Sequence, residues 1–170
     1  YGGQGADQLS AAIVAEELAK ACASTSDIVA GHTLCCVPIL EHGSEEQKMK
    51  YLPMLTKGGV LGGMGITEPN AGSDASKSQT EAKLEGDHYV INGSKIFITN
   101  GPEAGVFVIF AMTDKSKGTK GLSAFIIESN YPGFSIGKVE EKMGLHGVHT
   151  AELVFQDMIV PKENLLGQEG

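Results

Sequence analysis

The sequence predicts an α+β protein in which a helical segment is followed by an antiparallel β-barrel or sandwich. Apolar residues recur at helical spacing as far as residue 57, and from residue 60 they recur at every second position. Turn-forming residues then interrupt the apolar runs at short intervals, and no helical crossover separates the runs, which is typical of antiparallel sheets. We therefore expect a partial N-terminal helical domain over residues 1–59 and a β domain over residues 60–170.

Two helices are predicted before residue 40. The first should begin after Asp7, whose carboxylate can accept a free N–H group of the first turn. The second should begin after Ser26 or Asp27 and end or kink at Pro38, which has no N–H to donate. Because this second helix is apolar on nearly all sides and rich in small residues, we expect it to be buried.

A third helix and eight strands complete the predicted elements. Ser44 and Gln47 form a capping-box pattern, and the two glycines that follow residue 57 should end the helix. The pair Asn92-Gly93 between two apolar runs predicts a type I′ hairpin. The candidate strands, which share the period of two, are residues 60–66, 78–84, 89–92, 95–99, 106–113, 122–128, 134–137 and 150–160.

The charge and the cysteines exclude several kinds of site. A net charge of −8 should repel nucleic acid and anionic membranes. Cys22, Cys35 and Cys36 are odd in number and form no CxxC pair, so neither a disulfide framework nor a thiolate zinc site is expected. We expect them to act as small hydrophobic residues in a reducing compartment, and we recognise no signal peptide or membrane span.

The segment GGMGITEPNAGSDAS, residues 62–76, is rich in glycine and small polar residues. Pro69 and its neighbours should form a tight turn after the first strand. Gly72 would leave the backbone N–H groups around Ser73 and Asp74 free to bind an anion such as phosphate. On the residues alone, two interpretations remain open: a turn without a ligand, or a phosphate-binding loop without the lysine of a nucleotide hydrolase.

A second candidate segment is KIFITN, residues 95–100. Phe97 and Thr99 share one face of the predicted strand, because side chains alternate with a period of two. One interpretation is a core phenylalanine beside a half-buried threonine. The other is an aromatic ring and a hydroxyl group that stack on, and hydrogen-bond, a flat heterocycle.

Several segments are together specific to one family. They are ITEPNAGSDAS, YVINGSKIFITNG, YPGF, KMGLH, ELVF and VPKENLLG, with CAST and GHT in the helical part. These segments span the whole chain and resemble the acyl-CoA dehydrogenase family, most closely its short-chain, butyryl-CoA type. The resemblance implies an N-terminal helical domain, a middle β domain and a C-terminal four-helix domain. We expect this chain to contain the end of the first domain and the middle domain, with the C-terminal domain outside it.

The resemblance implies that FAD binds between the middle and C-terminal domains. The matching cofactor positions are Met64, Gly65, Ile66, Thr67, Gly72, Ser73, Phe97, Ile98 and Thr99. In the family, the position of Thr67 bonds the pyrimidine edge of the flavin, and that of Ser73 lies near the phosphates. The position of Phe97, often tryptophan in relatives, packs on the ring, and the Thr99 hydroxyl reaches toward flavin N5.

The implied reaction is FAD-dependent α,β-dehydrogenation of a short-chain, butyryl-CoA-like acyl-CoA to the trans-2-enoyl-CoA, as in fatty acid β-oxidation. Electrons would pass to an electron-transfer flavoprotein. Positions matching substrate contacts are Ser73, Thr113, Ala30 and Leu34. Because the family's glutamate base belongs to the C-terminal domain, no residue here is named as catalytic, and the chain alone is expected to be inactive. The alternatives are a non-catalytic flavin- or CoA-binding or scaffold module and a flavin-dependent acyl-CoA oxidase.

The remaining expectations concern assembly and two minor clusters. The resemblance implies a homotetramer in the bacterial cytoplasm or the mitochondrial matrix, and the net charge favours no nucleic-acid or membrane partner. His146 and His149 could pair on a metal, but no third ligand accompanies them, so structural roles are expected. Lys115, Lys117 and Lys120 form a basic loop that either meets the phosphates of CoA or is a solvated hairpin, and we favour the hairpin.

Overall fold

The computed structural model describes residues 1–170 as three α-helices followed by eight β-strands, which confirms the predicted α+β class. The helices are α1 Gln8–Ala21, α2 Ala23–His42 and α3 Glu45–Thr56. The strands are β1 Leu61–Gly65, β2 Glu81–Glu85, β3 His88–Thr99, β4 Ala104–Met112, β5 Leu122–Glu128, β6 Phe134–Val139, β7 Thr150–Pro161 and β8 Leu165–Leu166. Short 3₁₀ turns occupy Ala75–Lys77, Lys115–Gly121 and Lys162–Asn164.

The first two helices are separated by a single residue. α1 begins at its predicted cap, where the Asp7 carboxylate accepts a first-turn N–H at 2.8 Å. α2 begins after Cys22, and the prediction of Ser26 or Asp27 as its cap is wrong. Cys22 is extended, with φ −156°, and its own N–H closes the last turn of α1 at 2.7 Å. The same residue therefore ends one helix and starts the next, which no capping side chain in the sequence indicates.

α2 continues past Pro38, and its burial differs from the prediction. Ile39 is fully buried just beyond the proline, and this packing outweighs the hydrogen bond that proline removes. Beyond the first turn the buried residues form one stripe, Gly31, Cys35 and Ile39, while Leu34 is 51% exposed. The expected burial on all sides is therefore wrong. α2 is long and apolar enough to span a membrane, and core helices of soluble proteins can have the same length and composition.

α3 carries the predicted capping box. The Ser44 hydroxyl accepts the Gln47 N–H at 3.2 Å, and the Gln47 side-chain oxygen accepts the Ser44 N–H at 2.9 Å. The Gln47 amide also donates to the carbonyls of Glu163 and Leu165, at 2.7 and 2.9 Å. Gln47 thus attaches α3 to the 3₁₀ turn Lys162–Asn164 and to β8. The helix ends just before Gly58, which has φ +72°.

The strands form one curved sheet. Their order is β6-β7-β3-β2-β4-β5-β8, and β1 pairs with β4 in parallel. The other pairings are antiparallel except for a single parallel contact between β2 and β4. Phe134 of β6 and Phe107 of β4 have ring centroids 5.5 Å apart, although strands four places apart in a flat sheet would be separated by about 19 Å. The sheet therefore curves round on itself, in accord with the predicted barrel or sandwich.

β3 is one strand of twelve residues, whereas the sequence predicted two strands joined by a hairpin at Asn92-Gly93. The Asn92 side chain instead exchanges hydrogen bonds with Asp157 of β7, at 2.8 and 3.1 Å. Gly93 has φ +142°, and a Cβ on it would lie 2.6 Å from the Thr80 hydroxyl. The Asn-Gly pair therefore forms a bulge, where the pairing of β3 with β7 shifts register, at a close approach to Thr80. The tight turn that begins β3 lies at Gly86, with φ +66°.

Two apolar cores lie on opposite faces of the sheet. One consists of side chains from the strands alone and includes Phe107 and Ile109 of β4. The other joins α2 and α3 to the sheet and includes Val106 and Val108 of the same strand. β4 is therefore buried on both faces, which explains its almost unbroken apolar run.

Candidate functional site

The two candidate segments lie side by side in the structure. β1 carries the start of the first segment, and the chain runs on beyond Gly65 to Thr67, whose carbonyl accepts the Ile96 N–H at 2.9 Å. Ile96 belongs to the second segment, on β3. The fold thus brings Thr67 next to the strand that carries Phe97 and Thr99, although some thirty residues of sequence separate them.

Phe97 is held in an unusual backbone conformation. Its φ is +60°, and the pairing of β3 with β7 shifts register between Lys95 and Ile98. The shift reverses the alternation of faces, so that Lys95 and Ile98 are both buried while Phe97 is 58% exposed. Without this bulge, Phe97 would share the buried face with Lys95. A non-glycine residue at positive φ that exposes an aromatic ring is characteristic of a functional site.

Close packing of three chain segments surrounds Thr99. A Cβ on Gly31 of α2 would lie 2.7 Å from the Thr99 methyl carbon, and one on Gly63 of β1 would lie 3.3 Å from the Thr99 carbonyl oxygen. The next residue, Asn100, has φ +62° and donates its side-chain amide to the carbonyls of Ile28 and Gly62, at 3.0 and 3.2 Å. Asn100 therefore ties the end of β3 to α2 and β1. Sequence reasoning missed this role.

The turn predicted at Pro69 is present. Glu68 and Ala71 exchange two backbone hydrogen bonds, at 2.9 and 3.1 Å, across the proline. Gly72 then faces open space, and Ser73 is exposed. Hydrogen bonds from Ser76 lower the pKa of the Asp74 carboxyl, and its bond to the Ser76 N–H begins the 3₁₀ turn. The loop thus leaves Ser73 free to contact a ligand, as the anion-binding interpretation requires.

The hydroxyl groups of Thr67, Ser73 and Thr99 make no hydrogen bond within the chain. No buried side-chain polar atom of residues 1–170 lacks a hydrogen-bond partner, so none of these three hydroxyls is fully buried. Thr113 differs, because its hydroxyl is engaged with the Gly121 carbonyl at 3.1 Å and the Ser123 hydroxyl at 2.8 Å. An exposed aromatic ring, with Thr67 on the adjacent segment, fits contact with a flat ligand better than a packed core.

A buried ion pair joins the two candidate segments, with Glu68 in the first and Lys95 in the second. Lys95 is completely inaccessible, Glu68 is 5% exposed, and their Nζ and Oε1 atoms are 2.6 Å apart. Burial lowers the pKa of Lys95, and the attraction of Glu68 opposes that change. Burial acts to raise the pKa of Glu68, but hydrogen bonds from Lys95, Ser78 and the Gln79 N–H outweigh it and lower the pKa to about 2. Sequence reasoning missed this pair, because its members are far apart in the chain.

The remaining candidates lie outside this group. Ala30 and Leu34, four apart on α2, are both exposed beside the stripe that packs on β1. Met64 and Ile66 are half-buried, and Ile98 is buried. In residues 1–170, no group of three or more His, Cys, Asp or Glu side chains is placed to hold a metal ion, and His149 pairs with Glu103.

The basic loop is largely neutralised by its own neighbours. Lys115 pairs with Glu81, and Lys117 pairs with Asp114 at 3.3 Å. Of the cysteines, Cys35 lies in the core, where burial raises its pKa to about 12. Cys22 is exposed and packs in no core.

Comparison with known proteins gives matches along the whole chain. The family description "Acyl-CoA dehydrogenase, middle domain" matches residues 63–158, and "Acyl-CoA dehydrogenase, N-terminal domain" matches residues 1–59. A short-chain specific acyl-CoA dehydrogenase of Clostridium acetobutylicum is 62% identical over 100% of this chain and 45% of its own length. An acryloyl-CoA reductase (NADH) of Anaerotignum propionicum is 51% identical over 100% of this chain and 44% of its own length. The chain therefore spans less than half the length of these relatives.

Solved structures share the fold closely. A chain of the electron transferring flavoprotein structure of Acidaminococcus fermentans superposes with a TM-score of 0.97 at 55% identity, over 99% of this chain and 45% of the other. Butyryl-CoA dehydrogenase of Megasphaera elsdenii superposes with a TM-score of 0.95 at 53% identity, over 98% and 44%. An acyl-CoA dehydrogenase of Bacillus anthracis, complexed with FAD, superposes with a TM-score of 0.90 at 42% identity, over 99% and 29%.

Proposed function

The chain belongs to the acyl-CoA dehydrogenase family, and from this premise we propose that the protein that contains it carries out FAD-dependent α,β-dehydrogenation of a short-chain acyl-CoA. Members of this family depend on FAD, and the structure of one relative contains it. The observation that carries the proposal is the exposed ring of Phe97 on the strand that lies next to Thr67, whose hydroxyl, like those of Ser73 and Thr99, makes no hydrogen bond within the chain.

The cofactor positions of this chain have distinct tasks in the proposal. Phe97 offers apolar surface to the flavin, and the hydroxyls of Thr67 and Thr99 orient it through hydrogen bonds. Ser73 and the backbone N–H groups after Gly72 hold phosphate oxygens. Met64, Gly65, Ile66 and Ile98 form the backbone and packing around these groups. When bound, the flavin supplies the acceptor for the two electrons that leave the substrate.

For the acyl-CoA, we assign contacts to Ser73, Ala30, Leu34 and Thr113. Ala30 and Leu34 are exposed on one face of α2, next to the Gly31 position that packs on Thr99. This supports the assignment of Ala30 and Leu34 to an apolar wall beside Thr99. Thr113 is the weakest assignment, because its hydroxyl already bonds within the chain and would have to exchange a partner. The base that removes the α proton is assigned to no residue of this chain.

The division of the chain follows the same proposal. We assign residues 1–59 to the N-terminal helical domain and residues 60–170 to the middle domain. Helix α3 ends at Thr56 and strand β1 begins at Leu61, which supports a boundary between them. An electron-transfer flavoprotein as acceptor, a homotetramer and a cytoplasmic or mitochondrial location belong to the proposal for the whole protein.

The reverse reaction is the second candidate. An acryloyl-CoA reductase (NADH) is 51% identical over the full chain, which supports reduction of an enoyl-CoA as the alternative. The direction depends on the electron partner and on the potential of the bound flavin.

The test uses the full-length protein. We expect it to purify with bound FAD, and addition of butyryl-CoA without oxygen should bleach the flavin absorbance. A protein that purifies without flavin and takes up none would contradict the proposal. If butyryl-CoA leaves the flavin oxidised while acryloyl-CoA is reduced at the expense of NADH, the second candidate replaces the first.

A further inference from the structure

The buried ion pair of Lys95 and Glu68 joins the two segments of the candidate site. We propose that this pair is a positioning device, which holds residues 66–73 in the cofactor-binding conformation before the cofactor arrives. The inference rests on the proposed function, because it takes these residues to be part of the flavin site. It adds a task for two residues to which neither the family resemblance nor the sequence analysis assigns a role.

The ammonium group of Lys95 has three acceptors within reach. Its Nζ lies 2.6 Å from Glu68 Oε1, 3.3 Å from the Ile66 carbonyl and 3.3 Å from the Ser78 hydroxyl. Three acceptors match the three N–H donors of a charged lysine. Gly65 leaves room for the stem, because a Cβ there would lie 3.2 Å from the Lys95 Cγ. The Lys95 side chain is thus packed directly against the backbone of β1 at Gly65.

The carboxylate of Glu68 accepts hydrogen bonds from residues 78–80, at the C-terminal end of the loop. Oε1 accepts the Ser78 hydroxyl at 2.5 Å and the Thr80 N–H at 3.1 Å, and Oε2 accepts the Gln79 N–H at 2.6 Å. Its backbone meanwhile pairs with Ala71 across the turn. Lys95 therefore fixes the start of the segment 66–80, at the Ile66 carbonyl, and the Glu68 carboxylate fixes its end, at residues 78–80.

The pair also sets the relation between the two halves of the site. Glu68 directly follows Thr67, and Lys95 lies two residues before Phe97. Between them, the Ile96 N–H bonds the Thr67 carbonyl. A shift of the ion pair would move the Thr67 hydroxyl and the Phe97 ring relative to one another.

Stability alone does not account for a buried pair of this kind. Removing two charges from water is unfavourable, and a well-packed apolar pair of similar volume is often as stable or more stable. An apolar pair cannot, however, make the directional bonds to Ile66, Ser78, Gln79 and Thr80. What the charges add is therefore a defined geometry of the loop.

The decisive variant is the full-length double substitution Lys95→Met with Glu68→Leu, which replaces the charges by apolar groups. If the pair has a purely structural role, this variant should fold and should bind FAD as the wild type does. The positioning role predicts that it folds but binds FAD at least ten-fold more weakly, with altered visible circular dichroism of the bound flavin. Lys138→Met is the matched control, because Lys138 of β6 is exposed and pairs with Glu140 at 2.7 Å.

A second measurement does not depend on FAD. Amide hydrogen exchange of the apo protein should show protection of residues 66–80 in the wild type and in Lys138→Met, and loss of that protection in the double variant. Wild-type affinity, an unchanged flavin signal or full loop protection in the double variant would overturn the inference. If the wild type binds no FAD, the proposed function fails, and the exchange data still decide whether the pair orders the loop.

Discussion

The helical third of the chain and the sheet bury their side chains to very different extents. α1 has no buried residue, and its Leu9 is 69% exposed. β4, in contrast, is buried on both faces, and Phe107 is inaccessible. The sheet therefore contains a complete core of its own. The helices are attached to the sheet by one buried stripe of α2, by α3, and by the hydrogen bonds of Gln47 and Asn100.

The largest expected effect tests this contrast directly. Phe107→Ala removes a ring from the strand-only core and should lower the free energy of unfolding by about 3–5 kcal/mol. Leu9→Ala, on the exposed face of α1, should change it by about 0.5 kcal/mol or less. Urea denaturation of both variants measures the two values. Equal costs would show that the contrast in burial does not govern stability.

A pH-dependent effect should distinguish the buried ion pair from the surrounding apolar core. The pKa of Glu68 is lowered from 4.5 to about 2 in the folded state. Its contribution to stability is therefore complete above pH about 4.5, is lost as the pH falls toward 2, and is of the order of a few kcal/mol. The Lys95→Met and Glu68→Leu double variant, which has no titrating group there, is the reference. The wild type should lose more stability than this reference over that range, and parallel curves would rule the contribution out.

The junction between the helices and the sheet should respond to Asn100. Asn100→Ala removes two hydrogen bonds to α2 and β1, and we expect a loss of about 1–3 kcal/mol. Asn100→Gly also lacks these bonds but tolerates φ +62°, so the difference between the variants isolates backbone strain. Hydrogen exchange should show α2 loosened while β4 stays protected. Uniform loosening of both would argue against a local junction.

The smallest effect concerns a single hydroxyl. In the full-length protein, Thr99→Val keeps the methyl group next to Gly31 and replaces the hydroxyl by a methyl group that cannot hydrogen-bond. One hydrogen bond contributes about 0.5–1.5 kcal/mol, or about 2- to 12-fold in rate. We expect stopped-flow flavin reduction to slow by such a factor, with a smaller change in FAD affinity. Thr99→Ser should restore the rate, and an unchanged rate in Thr99→Val would remove the assigned role.

Local chemistry was the part of this fold that the sequence predicted well. The capping box of Ser44 and Gln47 and the cap at Asp7 depend on residues within one helical turn, and both are present. The strand 122–128 has the predicted limits because turn residues bound an apolar run. The adjacency of the two candidate segments came only from the family resemblance, since no local pattern connects them.

The misses depend on partners that are distant in sequence. Asn92-Gly93 reads locally as a hairpin, but Asp157 of another strand uses the asparagine side chain. Lys95 reads as an ordinary charged residue at a strand end, until the fold brings Glu68 to it. The bulge at Phe97 leaves no local signal either, because no glycine marks its positive φ.

The parallel pairing of β1 with β4 has a consequence for how the chain folds. Leu61 pairs with Ala104, so this contact closes a long loop that contains β2 and β3. Hairpin neighbours such as β2 and β3 meet after closing only a short turn, at a much smaller entropic cost. We therefore expect β1 to join the sheet after these local pairs have formed. The glycine-rich segment, residues 62–76, would then be among the last parts of the chain to become ordered. Variants that fold slowly should form the rest of the sheet before this segment.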